Sequence, residues 1–177
     1  MSDPDPSTPS TPFWRFSLHV YRQPGVAEAC IALQDGCGVD VNVLLFVMWL
    51  AATQRRLSQD DVQALEDAVR GWRNMAVIPL RDLRRALKDQ PTVVGSGRQE
   101  AFRNRIKAVE LEAERLQQEA LYASARDGRP GVPSAPPAAV GPNIAAYERV
   151  LGVTFPNHAI DTLIAVFTAV DHGAFAA

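Results

Sequence analysis

Apolar residues along this chain recur at intervals of three and four, the period of helices that bury one face. Val26, Ala29, Cys30 and Leu33 show this period. One stretch departs from it, because residues 43–52 are ten consecutive apolar residues. A helix that is apolar on all sides belongs inside a core, covered by other helices. No alternating pattern typical of a strand occurs, so we predict that helix 41–53 is the centre of an all-α fold.

Capping and helix-breaking residues set the limits of the other helices. Thr11 followed by Pro12 is a favourable helix start, and Asp40 and Ser58 are suited to cap two later helices. Ile78-Pro79 predicts a break in the chain. The predicted helices cover about residues 12–21, 24–35, 41–53, 58–72, 79–88, 96–125, 143–151 and 157–171. The fold class is a compact irregular helical bundle with about five core helices and two smaller C-terminal helices.

The distribution of proline and glycine divides the chain into four parts. Residues 1–11 are expected to form a disordered tail, and residues 12–125 a helical domain. Residues 126–142 contain five prolines and three glycines and are predicted to be a linker. The C-terminal segment 143–177 is too short to fold alone, so we expect it to dock on the helical domain.

Composition excludes some classes of function. A net charge of −2 argues against a globally basic nucleic-acid binder. The N-terminus lacks the pattern of a signal peptide, and the longest apolar run is far shorter than the roughly 20 residues of a membrane-spanning helix. We therefore expect a cytoplasmic protein without membrane contact. Cys30 and Cys37 form no Cys-x-x-Cys pair, so no metal site is predicted.

The turn before the central helix is rich in polar residues, including Asp35, Asp40 and Asn42. Carboxylates and amides beside a buried helix could bind a cation or a polar ligand. The interpretation that we favour is structural, with Asp40 and Asn42 capping a helix and Asp35 meeting an arginine.

A basic segment follows later in the chain. Residues 70–107 contain ten Lys or Arg against three Asp or Glu, a net charge of +7, so the remainder of the chain carries −9. We favour a solvated surface, partly neutralised by Glu110, Glu112, Glu114 and Asp35, over an anion or nucleic-acid footprint. However, Arg84 borders the apolar face of its helix, and a half-buried arginine normally requires a carboxylate or an anion. The candidate polar site, between turn 34–42 and segment 72–85, comprises Asp35, Asp40, Arg73, Arg81 and Arg84.

The long helix at 96–125 carries two further patterns. Its apolar residues alternate by four and three, a heptad-like seam made by Phe102, Ile106, Val109, Ala113, Leu116 and Ala120. Such a seam predicts packing on the same domain or pairing with a second copy. Glu110 and Glu114 have the i, i+4 spacing of carboxylate metal sites in bundles, but the Glu-x-x-His of those sites is absent. We therefore interpret this pair as solvated helix surface.

Four sequence blocks carry a resemblance to a known family. They are FWRFSLHVY, PGVAEACIALQDGCGVDVNVLLFVMWL, GWRNMAVIPLRDLRRALK and IKAVELEAERLQQEALY. Together they resemble a family of small proteobacterial proteins of unknown function over about residues 12–125. The resemblance implies a bacterial origin, and it implies no activity, cofactor or catalytic residue.

Three classes of function are compatible with these observations. The leading hypothesis is a non-enzymatic protein that binds a protein partner or itself, because no G-x-S-x-G, P-loop or H-E-x-x-H motif is present. The alternative is an enzyme or a binder of small anionic ligands that uses the candidate polar site. Nucleic-acid binding through the basic segment is a third and less favoured interpretation, and no cofactor is expected.

Overall fold

The centre of the computed structural model is an apolar helix that other helices cover on all sides. The structure describes residues 11–89, 94–128 and 130–175. Its α-helices are α1 (Pro12–Tyr21), α2 (Val26–Cys37), α3 (Val41–Ala52), α4 (Gln59–Trp72), α5 (Ile78–Asp89), α6 (Ser96–Gly128), α7 (Pro136–Leu151) and α8 (Asn157–Ala169). Short elements are a π-helical turn (Arg73–Val77), a 3₁₀ turn (His172–Phe175), and an antiparallel pair of β1 (Arg55–Arg56) and β2 (Val132–Pro133). The predicted all-α fold is confirmed. Apart from Thr11, the predicted tail lies outside the described residues.

Helix α3 is the predicted central helix, and eleven of its twelve residues are buried. Helices α1, α6 and α7 pack around it. The Phe46 ring stacks on Trp49 at 5.4 Å between centroids and meets Phe13 of α1 edge-on at 4.7 Å. Aromatic pairs at these separations and angles add to the stabilisation from burial alone. The apolar run therefore forms the core to which the other helices attach.

Capping residues limit the helices largely as predicted. Thr11 accepts a hydrogen bond from Trp14 N–H, Asp40 accepts one from Asn42 N–H, and Ser58 forms a capping box with Asp61. Helix α2 extends slightly beyond its predicted end. It stops at Gly38, which adopts a left-handed conformation with φ 68°.

The break predicted at Ile78-Pro79 is wrong. The chain stays helical from Gln59 through Asp89, and the π-helical turn Arg73–Val77 lies directly before α5. A proline ring inside a regular α-helix would clash with the carbonyl four residues earlier, here that of Met75. The π-helical turn contains Met75 and locally widens the helix, so the chain continues without a break.

The C-terminal part contains more helix than the proline pattern predicts. Residues 136–142 belong to the predicted linker, yet they form the first turns of α7, which begins at Pro136. Proline is compatible with the first helical turn, because the N–H groups there have no partner within the helix. Helix α7 packs on α3 and α4, and α8 packs on α2. Across the described residues, no helix combines the length and apolar character needed to cross a membrane.

Candidate functional site

Two members of the predicted polar site, Asp40 and Arg73, meet in a buried cluster. Asp40 precedes α3, and Arg73 begins the π-helical turn. The Arg73 guanidinium donates through Nη1 to Asp40 Oδ2 at 3.1 Å and to Glu66 Oε2 at 3.0 Å. Its Nη2 bonds the second oxygen of Glu66, which completes a bidentate pair. Both carboxylates are nearly inaccessible to solvent.

Tyr147 of α7 and Gln117 of α6 complete the cluster. The Asp40 N–H donates to the Tyr147 hydroxyl at 3.0 Å, and this hydroxyl donates to Glu66 Oε2 at 3.3 Å. Gln117 Nε2 donates to Asp40 Oδ2. Burial, together with the charges of Asp40 and Glu66, raises the pKa of Tyr147, so the hydroxyl keeps its proton.

The two carboxylates of the buried cluster are satisfied from within it, whereas Gln117 Oε1 has no hydrogen-bond partner among the described residues. Each oxygen of the Asp40 and Glu66 carboxylates accepts at least one hydrogen bond. Burial opposes the charge on Arg73, but its hydrogen bonds to both carboxylates raise the pKa of the guanidinium. A buried arginine paired in this way connects elements and holds their register. These contacts join α3, α4, α6 and α7.

Arg81 and Arg84, the next members of the predicted site, bind carboxylates of α6. Arg84 holds Glu110 bidentately, with Nη2 to Oε1 at 3.0 Å. Arg81 Nε reaches Glu110 Oε1 at 3.4 Å, and its Nη2 reaches Glu114 Oε1 at 2.8 Å. The interpretation of Glu110 and Glu114 as solvated surface is wrong, because Glu110 is buried and Glu114 is only partly exposed. The basic segment is likewise not fully solvated, since Arg81 and Arg84 are mostly covered.

These ion pairs form one wall of a groove of about 370 Å³. It lies between α5 and α6 on one side and the first three helices on the other. Its lining residues are Trp14, Ser17, Tyr21, Ile31, Gln34, Val41, Asn42, Leu45, Arg81, Arg84, Arg85, Lys107, Glu110, Leu111, Glu114 and Gln118. We call this cavity the α5–α6 groove.

The lining of the α5–α6 groove contains partly buried titratable side chains and a chain of hydrogen-bonded polar side chains. Burial raises the pKa of Glu114 despite the nearby guanidinium of Arg81. Burial also raises the pKa of Tyr21, so its hydroxyl stays a donor. Deeper in the groove, Ser17 Oγ donates to Gln118 Oε1 at 2.9 Å, and Gln118 Nε2 donates to Asn42 Oδ1 at 2.8 Å.

Asp35 lies apart from both clusters. It pairs with Arg85 at 3.0 Å, and both side chains are about half exposed. The Arg85 hydrogen bond lowers the pKa of the Asp35 carboxyl. The five predicted residues thus occupy three places: a buried cluster with Asp40 and Arg73, the groove wall with Arg81 and Arg84, and a surface ion pair with Asp35.

Sequence reasoning missed the polar residues of α6 that face inward. Gln117 and Gln118 are buried, as are Glu110 and Ala113. Their spacing repeats every three and four residues and is visible in the sequence. The signal is easily missed because polar side chains are usually assigned to the outer face of a helix.

The apolar residues of α6 that recur every seventh position face outward instead. Phe102, Val109 and Leu116 are exposed at 45%, 47% and 46%. We call these three residues the α6 stripe. With 100° per residue, Val109 lies about 160° around the helix from Leu111 of the groove. The stripe and the groove therefore occupy opposite sides of α6.

A second cavity and a buried thiol lie outside these clusters. The cavity, of about 670 Å³, is near the ends of α3 and α6, beside Trp49, Tyr122 and His172. Cys30 is buried, and burial raises the pKa of its thiol to about 12. Within residues 11–89, 94–128 and 130–175, no three His, Cys, Asp or Glu side chains are grouped to hold a metal ion.

Comparison with known proteins places the chain in a family. A family model described as "Protein of unknown function (DUF2390)" matches residues 12–121. No curated protein and no solved structure matches the chain. The matched region contains all five predicted site residues and every residue that lines the α5–α6 groove. It ends before α7 and α8. Because the match covers more than half of the sequence, the chain belongs to this family of proteins of unknown function.

Proposed function

We propose that this protein acts by binding rather than by catalysis, and that its partner is a second copy of itself. The α6 stripe supports this proposal. Three large apolar side chains at seven-residue spacing lie exposed along about 21 Å of one helix. Exposed apolar residues in a contiguous row are typical of a protein-binding surface. Leu83 of α5 is also exposed and lies about 160° around its helix from Arg81, so it faces away from the groove as the stripe does.

The charges beside the α6 stripe favour an antiparallel pairing. Arg98 and Arg105 flank the stripe in the first half of α6, and Glu112 and Glu119 flank it in the second half. A two-fold axis near Val109 would bring Phe102 against Leu116 of the partner. It would also bring Arg98 opposite Glu119 and Arg105 opposite Glu112, whereas a parallel pair would place like charges together. Complementary charges of this kind set orientation at helical interfaces.

The buried cluster supports a binding role over the enzymatic alternative. Arg73 forms hydrogen bonds with both Asp40 and Glu66, and the Asp40 N–H bonds the Tyr147 hydroxyl. These groups therefore connect helices and do not face a cavity. The five residues of the predicted polar site do not line a single pocket.

We also propose that the protein acts in the bacterial cytoplasm. The four sequence blocks support this, because they resemble a family of small proteobacterial proteins.

Light scattering after size exclusion tests self-association. The full-length chain has a mass of 19.3 kDa, and we expect a species of twice that mass at micromolar concentrations. Val109→Glu should shift it to the monomer, because the substitution would bury two carboxylates at the two-fold axis. Val132→Glu is the matched control, since Val132 is 61% exposed outside the stripe. A wild-type monomer at all concentrations, or equal masses for wild type and Val109→Glu, would contradict the proposal.

A further inference from the structure

We propose that the α5–α6 groove is a binding site for a small organic anion with a flat apolar body. The inference does not rest on self-association, because the groove and the α6 stripe lie on opposite sides of α6. A volume of about 370 Å³ is within the range of small-molecule sites. The cavity thus has room for a ligand of one or two fused rings with a charged group.

One part of the groove can hold an apolar body. Aromatic and aliphatic side chains from four helices meet there, namely Trp14, Tyr21, Ile31, Val41, Leu45 and Leu111. Trp and Tyr rings bind flat ring systems by stacking or edge contacts. Ile31 is 48% exposed and stands at the entrance.

The lining of the groove also offers more positive than negative charge. Arg81, Arg84, Arg85 and Lys107 give four cations, whereas Glu110, Glu114 and the Asp35 carboxylate that pairs with Arg85 give three negative charges, an excess of one positive charge. Glu110 already accepts from two arginines through its oxygens. Within the described part of the chain, Lys107 takes part in no ion pair. Its ammonium is therefore available to an acidic group on a ligand.

An amide in the groove supplies a further polar contact for a ligand. Asn42 is 7% exposed and lines the groove. Its Oδ1 accepts from Gln118, while its Nδ2 has no hydrogen-bond partner among the residues that the structure describes and keeps some contact with solvent. An amide donor that is open to the groove can donate to an acceptor on a ligand. An acceptor-rich group such as a carboxylate or sulfonate would satisfy both this amide and the cations.

Fluorescence titration with 1-anilinonaphthalene-8-sulfonate tests the proposal. This dye carries one sulfonate on a flat naphthalene ring that also bears an anilino group, and the uncharged N-phenyl-1-naphthylamine shares both apolar parts. We expect saturable binding of the sulfonated dye to the full-length protein and at least about tenfold weaker binding of the uncharged one, because the charged contacts are lost. Saturable binding that is equal for the two dyes, or no saturable binding of the sulfonated dye, would overturn the proposal.

Two variants locate the dye in the groove. Lys107→Gln should weaken binding about tenfold, whereas Lys88→Gln, on an exposed site outside the groove, should leave it unchanged. Ile31→Trp should weaken it about tenfold or more by filling the entrance, and Val153→Trp is its control outside the groove. Circular dichroism checks that each variant is folded. Unchanged affinity in either groove variant would show that the dye binds elsewhere and would overturn the proposal.

Discussion

At the scale of single residues, Tyr147 connects the C-terminal helices to the core. Its hydroxyl lies between the backbone N–H of Asp40 and the carboxylate of Glu66, and its ring is fully buried. The ring also meets Phe155 edge-on at 6.3 Å. One side chain of α7 thus contacts groups at the start of α3 and in α4.

Tyr147→Phe should lower the free energy of unfolding by about 1–3 kcal/mol, because the Asp40 N–H loses its acceptor while it stays buried. Urea denaturation measures this change. Tyr122→Phe is the matched control, since the described structure gives the Tyr122 hydroxyl no hydrogen bond and its ring stays against Trp49. We expect the control to change stability by less than about 0.5 kcal/mol. A Tyr147→Phe variant as stable as wild type would contradict the role given to the hydroxyl.

The sequence predicted the helix faces better than the partners across them. Asp40 was expected to cap α3, and its side chain does so. Arg84 was expected to need a carboxylate or an anion, and Glu110 supplies the carboxylate. Glu110 was expected only to neutralise part of a solvated basic surface, because helical periodicity shows which residues face inward but not which helix lies opposite. Its burial was therefore not predicted.

At the scale of helices, proline was the least reliable signal in this sequence. It predicted a break at Pro79 and a linker through residue 142, but Pro79 lies within a helix and residues 136–142 belong to α7. A π-helical turn accommodates Pro79, and Pro136 lies in a first turn where no backbone N–H is required. Glycine was more informative, since Gly38 ends α2 with φ 68°. Proline excludes a hydrogen bond at one position, which a helix can tolerate at its start or after a local widening.

Charge reversal on α6 tests the proposed antiparallel orientation. Arg105→Glu or Glu112→Arg alone should weaken self-association about tenfold, because each places like charges together twice in a two-fold pair. The double variant should restore the affinity, since the carboxylate introduced at position 105 would then face the guanidinium introduced at position 112 of the partner. Sedimentation equilibrium measures all three.

Arg149→Glu on the exposed surface of α7 is the control for a general effect of charge. It should leave self-association unchanged. A double variant that stays as weak as the single variants would exclude the antiparallel arrangement, because that arrangement places position 105 opposite position 112 of the partner and therefore requires the affinity to return.

At the scale of the whole molecule, the α5–α6 groove and the α6 stripe are independent of each other. The inward side of α6 joins the buried cluster through Gln117, one flank lines the groove, and the opposite flank carries the stripe. The sequence predicted the seam on this helix and left open whether it packs within the domain or on a second copy. In the structure, the three residues of the α6 stripe are exposed, so they do not pack in the core of the chain.

Disulfide trapping is the most direct test of the central claim, which is that two copies pair antiparallel through the α6 stripe. Phe102→Cys and Leu116→Cys are made separately with Cys37→Ser, and Cys30 stays unreactive because it is buried and its thiol pKa is raised to about 12. Under mild oxidation, we expect no covalent dimer from either variant alone and a mixed dimer when the two are combined. Covalent dimers from each variant alone would show a parallel pair. No dimer from the mixture would contradict pairing through the α6 stripe.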